Sequence, residues 1–343
     1  MKNKIITIGL SPCWDRTIEI NGIDWNEHKV ISSQNISPAG KALNINKALA
    51  WLGEQSIAAG LWGSEDFEQM KKACRVGFSP RGKAAKITIQ MTKTPGRTRE
   101  NITVIDTANK RQIHLRSKST LANNKSMKML KQDLQKIIRK NNLCVFAGAM
   151  PQETVGLVEF AKKKGAAVCV DTSGPALKKI VSKGGLFLIK PNIEELGELI
   201  GSKIKNTEDD IIKASKKLLN KVNFILVSRG EKGAILLFSP MIYQGVSEPR
   251  PLGSGNQKDV IAISAKYTGK KYDVLNTVAC GDYLLAGFIK SYLAPRPAGG
   301  FVNSLDNLRN ALETGIKSAT AKAFGLNDNL SWFKVKNNLR VKS

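Results

Sequence analysis

Histidine is nearly missing from this sequence, with His28 and His114 the two present in 343 residues. That scarcity all but excludes imidazole-based metal sites and most Ser-His-Asp arrangements. Cysteine is equally unhelpful for a framework. Cys13, Cys74, Cys144, Cys169 and Cys280 are odd in number, widely spaced and without a Cys-x-x-Cys pair. The expectation is a reduced, cytoplasmic protein with neither disulfides nor structural zinc. No apolar run approaches the roughly 20 residues that span a bilayer, so membrane insertion is not expected. The opening run Ile5-Ile6-Thr7-Ile8 is stopped by Ser11-Pro12 before a signal-peptide core could form, and reads as a buried first strand. A Gly-x-x-x-x-Gly-Lys-Ser/Thr sequence is also lacking, which disfavours a P-loop kinase.

Acidic residues are in short supply too. Against 54 Lys and Arg stand 28 Asp and Glu, for a formal charge of +26. Nucleic acid, anionic membranes and phosphorylated substrates are the partner classes such a charge suggests. The densest basic stretch, residues 108–140, carries ten basic residues and one acid, Asp133. Within it Met129, Leu130, Leu134, Ile137 and Ile138 recur at helical spacing, as on an amphipathic helix with a solvated lysine face. Base stacking needs aromatics among the cations, and Phe, Trp and Tyr are absent from this stretch. Nucleic acid is therefore not the expected partner, while non-specific polyanion binding stays open.

What is plentiful is alternation of short apolar runs with longer amphipathic ones. Strands are expected over 5–10, 143–147, 168–171, 186–190 and 224–228. Helices are expected over 41–52, 154–164, 194–200, 209–219, 282–292 and 304–324. Such alternation makes an α/β chain with a mostly parallel sheet covered on both faces, whose ligands sit at the carboxyl ends of the strands. Two regions break the rhythm. Residues 13–37 and 86–117 hold β-branched, period-two stretches such as Ile87-Thr88-Ile89-Gln90-Met91-Thr92, the second turning at Thr94-Pro95-Gly96. They predict antiparallel strands in a small separate sheet suited to a lid. Residues 247–271 begin with turn chemistry, and the first half of this segment reads as a surface loop or mobile insertion.

The most informative segment is Asn276-Thr277-Val278-Ala279-Cys280-Gly281-Asp282-Tyr283, set between a β-prone run at 272–275 and a helical pattern. Small residues let backbone approach a ligand, and amides at a helix start favour an anion. Asp282 there reads either as a helix cap or as a general base. Three further clusters each follow a strand: Ala39-Gly40-Lys41-Ala42-Leu43-Asn44, Lys190-Pro191-Asn192-Ile193-Glu194-Glu195, and Ser228-Arg229-Gly230-Glu231-Lys232-Gly233. Asn192 with Glu195 is also a helix-capping pattern, and the Ser228 cluster is also an ordinary turn.

These clusters, in this order, resemble the ribokinase-like sugar kinases, in the phosphofructokinase-B branch that includes 1-phosphofructokinase and tagatose-6-phosphate kinase. The family's Asn-Thr-Val-Gly-Ala-Gly-Asp-Ser is similar to residues 276–283, and its Gly-Gly-Lys-Gly-x-Asn to residues 39–44. Its Asn-Pro-Ala-x-Asp start is similar to Ser11-Pro12-Cys13-Trp14-Asp15, and its Glu-Thr-Arg lid motif to Arg97-Thr98-Arg99. Ala147-Gly148-Ala149-Met150-Pro151 and Asp171-Thr172-Ser173-Gly174 match two further motifs, and Lys190-Pro191-Asn192 with Glu195 matches without change. The resemblance implies a three-layer α/β/α domain over 1–330 with a β-sheet lid, followed by a basic tail at 331–343. It implies a Mg-ATP-dependent kinase of a sugar or sugar phosphate, most like one converting fructose 1-phosphate to fructose 1,6-bisphosphate. Asp282 is then the catalytic base, and Ala279, Cys280 and Gly281 form the anion hole. Asp15 and Asn44 hold sugar hydroxyls with Gly40 allowing close approach, while Lys41 and Arg99 neutralise the phosphate already on the sugar. Lys190, Asn192, Ser228, Gly230 and Gly233 line the nucleotide side, and Asn192 and Glu195 position Mg²⁺ through water. A homodimer through the lid strands, as in some relatives, is a further implication.

The departures from the family cluster at this site. Ala279, Ala39 and Ala42 replace glycines, Cys280 replaces alanine, and Tyr283 replaces serine. A Cβ is costly where positive φ or close contact is required, so a reshaped sugar pocket is expected. Two alternatives accompany the phosphohexose reading: a kinase of another sugar or nucleoside, and a non-catalytic homologue that binds nucleotide or sugar.

Overall fold

The protein is described by a computed structural model over residues 4–77, 87–240, 260–270, 273–275, 277–294 and 304–343. Strand β1 (Ile5–Gly9) lies inside a ten-stranded sheet, with β4 (Ser56–Gly63) and β5 (Ile87–Thr94) between it and one edge. On the other side follow β8 (Leu143–Ala147), β9 (Ala167–Asp171), β10 (Leu186–Ile189) and β11 (Val222–Ser228). All pairings from β5 to β11 are parallel. Beyond β11, the strands β12 (Ala234–Phe238), β13 (Ile261–Tyr267) and β14 (Val341–Lys342) add antiparallel.

The parallel strands are apolar without interruption because both faces are covered. In β8, Leu143, Val145 and Ala147 enter one core while Cys144 and Phe146 enter the other. The first core packs α1 (Lys41–Trp51), α8 (Cys280–Tyr292) and α9 (Leu305–Ala323). The second packs α3 (Asn124–Ile137), α4 (Thr154–Lys163), α5 (Gly174–Lys183), α6 (Ile193–Ile200) and α7 (Glu208–Lys216). The three-layer expectation is met. Helix α3 buries Met127, Leu130 and Leu134 and leaves Lys125, Lys128, Lys131 and Lys136 in solvent, so its charge is a surface face. Helices α8 and α9 touch backbone to backbone: a Cβ on Gly287 would stand 2.7 Å from the Thr314 carbonyl, and one on Gly315 the same distance from that of Leu284.

The second sheet is a separate four-stranded layer, in the order β3-β2-β6-β7. Its strands are β2 (Cys13–Ile20), β3 (Ser33–Ala39), β6 (Arg99–Asp106) and β7 (Arg111–Arg116). Two hairpins are joined through a parallel β2–β6 pair, which corrects the expectation of purely antiparallel lid strands. Residues 87–94 also leave the lid. They pair with β4 along its whole length, from Ser56 with Ile87 to Gly63 with Thr94. An edge strand is half exposed and therefore alternates, the pattern that also marks a lid strand. The expected strand over 272–275 is not found either: 273–275 have no regular structure, and 272 lies outside the described residues. Residues 331–343 are no tail. They place Val335 and Leu339 in the core and end in β14, paired with β13. Of the 247–271 segment, 247–259 and 271 lie outside the described residues, and 261–267 is β13.

Candidate active site

The carboxyl ends of β9, β10 and β11 meet the amino ends of α1 and α8, and most of the singled-out residues gather there. Asp282, in the first turn of α8, is 3% exposed. Its Oδ2 accepts a hydrogen bond from Asn44 Nδ2 of α1 at 3.0 Å. Burial, and then the charge of Asp171, push its carboxyl up to about 7, while Lys41, Asn44 and Lys190 act the other way. The first-turn position suits a carboxylate because the helix dipole favours negative charge there.

Asp171 was quoted for its motif without a role, and it proves to be the hub. At the end of β9 it is completely buried, with Lys41 Nζ 2.6 Å from Oδ1 and Lys190 Nζ 3.4 Å from Oδ2. Oδ2 makes no hydrogen bond, and the Lys190 ammonium is its ion-pair partner. The signal available in sequence was an Asp closing an apolar strand at the ligand edge of a parallel sheet. Lys41 loses stability of its charge through burial, but Asp171 and then Asp282 outweigh that and hold it protonated. Expected on the sugar's phosphate, Lys41 is ion-paired with the buried Asp171 and lies close to Asp282.

Ala279, Cys280 and Gly281, expected as an anion hole, lie at the start of α8. Ala279 occupies the αL region at φ 67°, where a glycine costs nothing and a Cβ is strained. Cys280 N donates to the Thr277 carbonyl at 3.3 Å and Asp282 N to that of Ala279 at 2.9 Å; neither bond involves Gly281. Lys190 Nζ lies 3.2 Å from where a Gly281 Cβ would be, so an ammonium stands over this helix start. Burial raises the Cys280 thiol to about 11, which makes it an unreactive packing residue. Tyr283 does not enter a sugar pocket. It is buried against Trp51, and its hydroxyl accepts from Asn327 Nδ2 at 3.2 Å. Ala39 and Ala42 are also buried, and Ala42 Cβ stands 2.9 Å from where a Cβ on Gly9 would be. The Tyr283 ring is absorbed by packing, whereas Ala39 and Ala42 line a small cavity beside Gly40 and Lys41.

Asn192 and Glu195 form a reciprocal capping box on α6. Glu195 N donates to Asn192 Oδ1 at 2.8 Å, and Asn192 N to Glu195 Oε2 at 2.9 Å. Ser228 joins them through a parallel bridge to Asn192 and through its N–H on the Pro191 carbonyl at 3.0 Å. Gly230 opens a 3₁₀ turn and Gly233 closes it, the latter because a Cβ would lie 2.0 Å from the Ala265 carbonyl. The capping and turn readings are thus real, and they coexist with a position at the ligand edge.

Asp15 and Arg99 belong to the lid. Asp15 Oδ1 accepts from Asn101 Nδ2 at 3.1 Å and from Cys13 Sγ at 3.4 Å. Arg99 reaches Asn101 Oδ1 at 2.9 Å, the Ser117 carbonyl at 2.9 Å and the Ser11 carbonyl at 3.4 Å. The turn at 11–13 lies against Gly40, whose φ is 118°, and so links these lid residues to the start of α1. Cys13, also in the lid, is raised to about 12 by burial and by Asp15, so it is no nucleophile.

The family model described as "pfkB family carbohydrate kinase" matches residues 9–323. The chain belongs to the PfkB family of carbohydrate kinases. It is a phosphotransferase of that family. The chain is 26% identical to a 1-phosphofructokinase of Borreliella burgdorferi over 335 residues, covering 96% of this chain and 94% of that protein. It is 25% identical to a tagatose-6-phosphate kinase of Staphylococcus epidermidis over 263 residues, 74% of this chain and 82% of the relative. In fold it is similar to phosphofructokinase-2 from Escherichia coli in complex with fructose-6-phosphate. The TM-score is 0.77 at 19% identity, over 97% of this chain and 99% of that one. The kinase class, the fold class and the family resemblance read from the motifs all hold.

Proposed function

We propose that this PfkB kinase transfers the γ-phosphoryl group of ATP to a hydroxyl of a phosphorylated hexose, most like fructose 1-phosphate to fructose 1,6-bisphosphate. The observation that carries the reading is Asp282: a buried carboxylate raised to about 7, at a helix start, beside the Asn44 amide. A carboxylate with that proton affinity takes the proton of an attacking hydroxyl near neutral pH. Asn44 orients the carboxylate, and Asp15 hydrogen-bonds the sugar from the lid. Arg99 meets the phosphate already on the sugar. Lys190 and the Gly281 backbone stabilise the charge on the transferring group, because such transfer depends on alignment and charge stabilisation more than on covalent help.

Mg²⁺ fits this donor set as a partner of the nucleotide phosphates. Among the described residues no cluster of three His, Cys, Asp or Glu could hold a metal alone. Asp171 Oδ2, which makes no hydrogen bond, and Glu195 with Asn192 through water, are hard oxygen donors of the kind that complete a phosphate-bound Mg²⁺. When bound, the ion neutralises phosphate charge.

The lid supports a second copy as partner. Paired rows Ile36–Arg16–Ile102–Leu115 and Gln34–Ile18–Val104–Ile113 share one face. Ile36, Leu115 and Ile113 are 43%, 49% and 54% exposed. We infer that this apolar face pairs with the same face of another chain. One solved structure similar in fold is a tetrameric inhibited form of phosphofructokinase-2 from Escherichia coli.

The function is tested by coupled ADP release against a panel of hexoses, hexose phosphates and nucleosides. The expected outcome is Mg-ATP turnover with kcat/KM highest for a hexose monophosphate. Turnover confined to nucleosides or unphosphorylated sugars, or none at all, overturns the reading.

A further inference from the structure

Asp66 is a buried carboxylate that none of the chemistry above uses. It lies in the turn between β4 and α2 (Phe67–Gly77), 3% exposed, and its carbonyl accepts the Met70 amide at the start of that helix. Its side chain turns away from α2. Oδ2 accepts Trp14 Nε1 at 2.6 Å; Oδ1 accepts the Thr98 amide at 3.0 Å and the Thr98 hydroxyl at 3.1 Å. Trp14 belongs to β2 and Thr98 immediately precedes β6, the two central lid strands, which pair in parallel from Cys13 with Arg99 onward. One carboxylate therefore ties together the two chains that leave the main sheet for the lid.

The neighbouring residues make the tie consequential. Asp15 follows Trp14, and Arg99 follows Thr98. Because successive strand side chains point to opposite faces, an inward Trp14 and Thr98 turn Asp15 and Arg99 toward the other side. The turn that carries Asp66 is itself stitched to the crossing. Ser64 N donates to the Thr94 carbonyl at 2.7 Å, Glu65 N to that of Gly96 at 3.2 Å, and Gly63 N to Thr98 Oγ1 at 3.1 Å. A Cβ on Gly63 would lie 2.5 Å from the Gly96 carbonyl, so backbone meets backbone with no slack. Trp14 is further held in a small core with Leu43, Ala58, Trp62, Met70 and Cys74, which anchors β2 to α1, β4 and α2.

We propose that Asp66 is a positioning residue for the sugar-phosphate end of the site: by bonding Trp14 and Thr98 at once, it fixes the register at which Asp15 and Arg99 face the substrate. This rests on the proposed function for the identity of the ligand, and on the structure alone for the tie. Charged hydrogen bonds of this kind are strong, and leaving three buried donors without their acceptor loosens both strands.

The test is steady-state kinetics of Asp66→Ala, Asp66→Asn, Thr98→Val and Trp14→Phe, together with NMR of the Trp14 indole N–H. Asp66→Ala is expected to raise KM for the sugar phosphate by about tenfold or more while KM for ATP stays within about twofold. Asp66→Asn keeps the acceptor for Thr98 and falls between, as do Thr98→Val and Trp14→Phe, which each remove one donor and remain informative if Asp66→Ala does not fold. The indole N–H, shifted and protected from exchange in the parent, loses both features in Asp66→Ala and Asp66→Asn. Equal KM changes for ATP and sugar phosphate, or none for either, overturn the positioning role. If the parent turns over no sugar phosphate, the proposed function fails by itself, and an indole N–H that exchanges freely in the parent overturns the tie.

Discussion

At the residue scale, Asp282 joins sequence, burial and chemistry. Its neighbours are Asp171, Lys41 and Lys190 with the Asn44 amide, and burial leads among the causes that raise it to about 7. A base works deprotonated, so kcat/KM should fall as pH drops through about 7, approaching tenfold per unit on the acid side. A pH–rate profile in Mg-ATP checks this; an acid limb in the ordinary aspartate range, about 4, contradicts it. The same raised affinity means the folded state binds this proton more tightly than the unfolded chain, so its contribution to stability is lost as pH rises toward neutrality. Stability at this position is given up for reactivity.

At the scale of elements, helix α8 shows what a pattern of residues conveys and what it does not. The small residues before Asp282 marked a helix start, and α8 begins at Cys280. That Ala279 would adopt the αL conformation was beyond any propensity, because tertiary context imposes it. Replacing Ala279 by Gly should stabilise the protein by about 1 kcal/mol, read as a higher urea midpoint at unchanged slope. No gain, or a loss, contradicts a strained helix entry. Strands β8 to β11 were legible because continuous apolar runs have few other uses. Strand β4, Ser-Ile-Ala-Ala-Gly-Leu-Trp-Gly, was not, since its alanines and glycines carry little β signal although every residue is buried. Strand β5 was misplaced because an edge strand and a lid strand share a period of two. The site was legible where a motif carried it, at Asn44, Lys190 and Asp282. It was illegible where distant strand ends meet: Asp171 between two lysines, and Asp66 between two lid strands, are products of topology.

For the whole molecule, the main sheet carries Asp171 at the end of β9, while the four-stranded sheet carries Asp15 and Arg99. The apolar lid face is the clearest unpartnered surface among the described residues, and it lies on strands that also carry Asp15 and Arg99. Sedimentation velocity of the parent should give a dimer at micromolar concentration, and Ile113→Lys with Leu115→Lys should halve the mass. A parent that sediments as a monomer contradicts pairing through the lid. Part of the net charge of +26 lies on exposed helix faces such as that of α3, where it bears on colloidal behaviour.

The most direct measurement is ADP release by Asp282→Asn with Mg-ATP and the preferred hexose phosphate. Asparagine keeps the size and the hydrogen-bonding reach but cannot accept the hydroxyl proton. A fall in kcat of about 10³-fold, with nucleotide affinity retained, is the expected result. A variant that turns over within about tenfold of the parent contradicts a base at Asp282 and, with it, the mechanism.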